Sequence, residues 1–159
     1  MKKSCYSLLG VSLVVMGLGI SQMAKATSDI ETFFSEAKKS EIQSHDIGPS
    51  EKDIKKATGK DISISINWDS FKGSSFNSSQ ELGADVQSIT GAIVNGSEDA
   101  AFKAKMVKIK EIVIANDPKA TFPKFSSKGD KLFFNGNFQQ MNWSKAPKGM
   151  KSSIADAIK

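Results

Sequence analysis

Few residues in this chain of 159 could do chemistry, and His45, the only histidine, is the first to weigh. Next to Asp46 an imidazole could be oriented as a general base. Its setting argues for a plain loop residue, because His45-Asp46-Ile47-Gly48-Pro49 interrupts a helical pattern with no nucleophile nearby in sequence. A Ser-His-Asp triad would have to use this histidine, and no G-x-S-x-G elbow is present to hold its serine. Ser35-Glu36-Ala37-Lys38 matches the S-x-x-K pattern of serine–lysine enzymes but lacks the S-D-N and K-T-G companions, so it reads as the wet face of a helix.

Asp61, Ser63, Ser65, Asn67 and Asp69 repeat at the spacing of a calcium loop. The central glycine and closing glutamate of that loop are missing, and isoleucines intervene, so the polar face of a strand explains them better. Glu98-Asp99 is more simply the first turn of a helix than a carboxylate dyad. No Gly-rich phosphate loop occurs. The expectation is a protein that is not an enzyme, with no catalytic residue, metal ligand or cofactor to nominate.

Two clusters qualify for binding instead. Lys103, Lys105, Lys108 and Lys110 alternate with other residues. On a strand Lys108 and Lys110 would share a side, forming a basic stripe for an acidic protein, anionic lipid or lipopolysaccharide phosphates. The second cluster is Phe133, Phe134, Phe138, Met141 and Trp143. Neighbouring Phe133 and Phe134 must face opposite sides of a strand, so one of them looks away from the core unless a helix covers it. The partner-binding set nominated from sequence is Lys103, Lys105, Lys108, Lys110, Phe134, Phe138 and Trp143.

Charge supports binding but does not name the partner. The 22 basic residues are all lysine. Without arginine, the usual bidentate reader of phosphates and base edges, specific nucleic-acid recognition is not expected. Residues 27–102 carry 7 Lys against 13 acids, whereas residues 103–159 carry 12 Lys against 4. Such a division makes an electric dipole that could steer a charged partner.

The N-terminus reads as an export signal. Lys2 and Lys3 precede an apolar run, Leu8–Ile20, and Ala24-Lys25-Ala26 offers an A-x-A cleavage site. The run is too short for an ordinary membrane-spanning helix. Residues 1–26 are therefore expected to be removed, leaving 27–159 as one domain in the periplasm or outside the cell. The only cysteine, Cys5, would leave with the signal, so the mature chain has no disulfide.

The elements that must position these residues follow from periodicity. Asp61 to Asp69 alternates Ile62, Ile64, Ile66 and Trp68 with polar residues, giving a strand with one apolar face. Before it, Ser28 and Glu31 form a capping box for a helix over roughly 29–43, and Ser50 could cap a short helix that stops at Gly59. Ser78 and Glu81 cap a third helix whose stripe is Leu82, Val86, Ile89 and Ile93. A helix to about Met106, a strand over about 108–115 with a bulge near Glu111, and an edge strand at Phe122–Phe125 come next. A turn at Ser127–Asp130 then leads into Lys131–Phe138, and Met150, Ile154, Ala157 and Ile158 mark a terminal helix. This order is α+β, expected as a small, largely antiparallel sheet of three to four strands with helices over one face.

These readings together describe a small exported protein that binds a protein partner as an inhibitor, immunity factor or envelope accessory. Attachment to an anionic surface is the alternative, and a small hydrolase stands behind both.

Overall fold

The computed structural model describes residues 34–73, 78–139 and 149–159. The expected export signal, the expected Ser28–Glu31 capping box, Met141 and Trp143 lie outside the described residues.

Helix α1 (Glu36–Ile42) begins where Ser35 caps it, its hydroxyl accepting from the Lys38 N–H at 3.3 Å. That is later than the helix expected over 29–43. The same bond accounts for the S-x-x-K pattern as a helix start. Phe34, just ahead, turns inward, its ring centroid 5.2 Å from Trp68 and 5.6 Å from Phe71.

The break expected at His45–Pro49 does not occur. Gln43–Ile47 forms a π-helical turn that carries the chain from α1 into α2 (Gly48–Thr58) without leaving helical backbone. Proline cannot donate within a helix, and its ring crowds the carbonyl four residues back. Opening the turn by one residue relieves that crowding, with the Gly48 N–H reaching Gln43 O. Ser50 is consequently buried inside α2 and does not cap it. Gly59 ends α2 with φ +77°, the left-handed stop its position demands.

Strand β1 (Ser63–Ile66) follows, then a 3-10 turn at Trp68–Phe71. Helix α3 (Ser79–Gly96) has Ser78 as its N-cap and buries Leu82, Val86, Ile89 and Ile93. Asp99 caps α4 (Ala100–Met106), its carboxylate accepting from the N–H groups of Ala101 and Phe102. Strands β2 (Glu111–Asn116), β3 (Lys124–Lys128) and β4 (Lys131–Gly136) and helix α5 (Met150–Ala157) complete the order. The register of β2 with both neighbours is unbroken from Glu111, so there is no bulge there.

The fold is α+β, but the sheet is mixed and mostly parallel, not largely antiparallel. Its strand order is β1-β2-β4-β3. Strand β1 pairs parallel with β2 because α3 and α4 return the chain to the same end before β2 starts. Strand β4 inserts between β2 and β3, parallel to the former and antiparallel to the latter. Only the β3–β4 hairpin, turned at Gly129 with φ +63°, keeps the antiparallel pairing read from the sequence.

One face of the sheet carries the core. Ile64, Ile66, Ile112, Ile114, Leu132 and Phe134 are buried with α3's stripe, Ile54, Phe102, Met106 and Ile154. At the open edge of β1, the Ile64 N–H donates to Glu51 Oε1 at 2.7 Å. A carboxylate from α2 thus occupies an edge position where a foreign strand could otherwise pair.

Candidate partner-binding surface

Alternation along each strand sets what the other face presents. Ser65, Val113, Phe133 and Ser126 lie in one register row across all four strands. Ser63, Glu111, Lys131 and Lys128 form the row on one side of it, and Ala115, Asn135 and Lys124 lie on the other. Val113 and Phe133 are half-buried and belong to no part of the core, while Lys124, Ser126, Lys128 and Lys131 are exposed. The result is an apolar centre with a polar, basic rim.

Electrostatics divide that rim. The Glu111 carboxylate accepts from Lys131 Nζ at 2.5 Å and from the Ser65 hydroxyl at 2.7 Å. The Lys131 hydrogen bond, then that of Ser65, hold Glu111 below the usual carboxylate range, and Glu111 in turn raises Lys131. Asp130 is lowered likewise, by its bond and ion pair with Lys110 at 3.1 Å. Lys124 and Lys128 form no ion pair among the described residues. They give the face its uncompensated positive charge.

These shifts fix the sign of an acid response. A carboxylate with a depressed folded pKa contributes stability above its unfolded value, 4.5 for Glu111 and 3.8 for Asp130, and loses it as pH falls through the lower folded value. Thermal unfolding midpoints followed from about pH 7 to about pH 2 should hold steady and then fall below the ordinary carboxylate range. Glu111→Gln should flatten part of that acid limb. An unchanged limb in the variant would remove Glu111 from the account.

Among the described residues, those nominated from sequence do not come together. Phe134 is 0% and Phe138 5% exposed, so both are core side chains. They sit in an aromatic row, Phe138 lying 5.3 Å from Phe71 and 6.1 Å from Phe134 between centroids. Lys103 and Lys105 lie on α4, and Lys108 and Lys110 precede β2, so no strand aligns them. Lys105 donates to Ala155 O at 2.6 Å and Lys108 to Lys159 O at 3.5 Å, both near the carbonyl end of α5. A cation there meets the negative pole of the helix. Lys110 is held by Asp130.

Sequence reasoning passed over Val113, Lys124 and Lys128, and kept Phe133 in its cluster without nominating it. The signal was available in Lys124-Phe125-Ser126-Ser127-Lys128, where residues 124, 126 and 128 share a side.

The remaining chemical candidates have local roles. Asp61 pairs with Lys55 at 2.6 Å and Asp69 with Lys72 at 2.8 Å, on either side of β1. Among the described residues, no group of three or more His, Cys, Asp or Glu could hold a metal ion. No described helix is long and apolar enough to cross a membrane. No protein family, curated protein or solved structure matches this chain.

Proposed function

We propose that this protein, exported and trimmed of residues 1–26, is a binding module that docks an acidic protein partner on the outer face of its sheet. It would act there as an inhibitor, immunity factor or envelope accessory, without making or breaking covalent bonds. One observation carries the reading: Phe133 and Val113 stand outside the core at the centre of a face rimmed by Lys124 and Lys128. An aromatic anchor within a polar rim has the anatomy of a protein interface. Uncompensated lysines on that rim favour acidic partners and speed their encounter. Export rests on the basic start, apolar run and A-x-A site of the first 26 residues.

The test compares the mature chain with Phe133→Ala and with Lys124→Glu/Lys128→Glu. A partner isolated from envelope extract and then purified should bind wild type saturably at about 150 mM salt. Phe133→Ala should weaken that binding at least about tenfold while the melting temperature falls by no more than a few degrees. Charge reversal should slow association more than it speeds dissociation. Binding that survives all three changes would remove this face from the reading. Vesicles of anionic lipid distinguish the alternative: binding to them that collapses with added salt, with no protein partner found, would make an anionic surface the target.

A further inference from the structure

On the helical side of the molecule, α2 and α3 part along a groove of about 720 Å³, within the size range of small-molecule sites. Pro49, Ala57, Gly91 and Val94 are its apolar lining. Its ionisable groups are Asp46, Asp53 and Glu98, with His45 and Lys56. Three carboxylates face one lysine, and Asp53, Glu98 and Lys56 form no ion pair among the described residues.

Carboxylates on a surface are common, so the second observation decides. Ser50 lines this groove, is only 3% exposed, and its hydroxyl has no hydrogen-bond partner among the described residues. The other buried hydroxyls on these helices behave differently. Thr58, Thr90 and Ser97 each donate to the carbonyl four residues back, at 2.8, 2.9 and 2.7 Å, the usual recourse of a helical hydroxyl. Ser50 follows the π-helical turn and Pro49, and does not take that bond. A buried polar group left without a partner calls for one from outside the chain, and such wide turns recur at functional sites.

Spacing says what kind of ligand. Asp46 is held at one end by Gln87 Nε2 at 2.9 Å, and its carboxylate lies so close to Gly83 that a Cβ there would meet it at 2.5 Å. Asp53 lies seven residues further along the same helical run, roughly 10 Å away at 1.5 Å per residue. Seven residues is nearly two full turns, which returns Asp53 to the same face. Glu98, just beyond the C-terminal end of α3, lines the same groove.

We infer that this groove binds an aliphatic polyamine, with one ammonium on Asp46, the other on Asp53 and Glu98, and a central amine against Ser50. The methylene segments would lie on Pro49, Ala57 and Val94. The acidic balance of residues 27–102, 13 acids against 7 Lys, gives the right sign of field for such a cation. Lys56 opposes the ligand, so the site as built is one whose affinity can be raised.

Calorimetric titration of the full chain with spermidine at about 50 mM salt tests this. One saturable site is expected. Asp53→Asn with Glu98→Gln should weaken it at least about tenfold, and Lys56→Gln should tighten it a few-fold. Ser50→Ala should weaken binding without lowering the melting temperature, a split that a merely structural serine would not show. Butylamine, with one ammonium, should bind at least about tenfold more weakly than spermidine. Absence of saturable heat up to about 5 mM spermidine would overturn the inference. So would unchanged affinity in the correctly folded Asp53→Asn/Glu98→Gln variant, or equal displacement of spermidine by magnesium, which would mark a diffuse ion atmosphere.

Discussion

Phe134→Ala is expected to cost about 3–5 kcal/mol of folding free energy, the range for deleting a fully enclosed ring. Phe134 has no exposed surface and projects from β4, which has a strand on each side. Its ring packs 4.8 Å from Phe125 and 6.1 Å from Phe138 between centroids. Collapse around the lost ring is hindered, because Ile114 and Phe125 are pinned opposite it by the register. With total stabilities of about 5–15 kcal/mol for domains of this kind, such a loss could leave little margin. Urea titration gives the check: the midpoint should fall steeply with the slope unchanged. Phe133→Ala, one residue earlier, should cost about 1 kcal/mol or less, since only a partly buried face is trimmed. Equal losses at the two positions would mean that the outer face is packed as the inner one is.

Gly96→Ala should destabilise by about 1–3 kcal/mol, against what helix propensity alone would give. Alanine in a helix interior gains up to about 1 kcal/mol over glycine. At Gly96, however, a Cβ would lie 2.7 Å from Cε1 of Phe102 and 2.9 Å from two more of its ring atoms. Phe102 is 3% exposed, so its ring has nowhere to withdraw, and the overlap outweighs the propensity gain. Gly83 is the internal comparison. Its Cβ would meet the Asp46 carboxylate at 2.5 Å, but that short side chain can swing out at the cost of one bond to Gln87. Gly83→Ala should therefore be close to neutral. Thermal melts of the two variants side by side decide, and a stabilised Gly96→Ala would show that α4 can shift away from α3.

Local order was legible wherever one short segment contains its own reason. The stripe Leu82, Val86, Ile89 and Ile93, the cap at Ser78, the stop at Gly59 and the alternation of Ile62, Ile64 and Ile66 all emerge as read, whereas Glu98-Asp99, read as a first helical turn, precedes α4 with Asp99 as its cap. The π-helical turn did not, because a Gly-Pro pair signals a break unless neighbouring packing keeps the backbone helical through it. Here Ile47 and Ile54 are buried on either side of Pro49 and hold the run together. The same misreading sent His45 to a loop and hid the groove it borders.

The outer face of the sheet shows the division of labour. Adjacent phenylalanines at 133 and 134 had to diverge, since strand side chains alternate, and that much needs no third dimension. Which of them turned inward depended on β4 lying between β2 and β3, with Leu132 and Phe134 matched to Ile112 and Ile114. Order along the chain determined the elements and their two-sided character, because hydrophobic periodicity acts over a few residues. Pairing partners, strand direction and the choice of open face were decided only by tertiary structure, because they depend on which distant segments share one core.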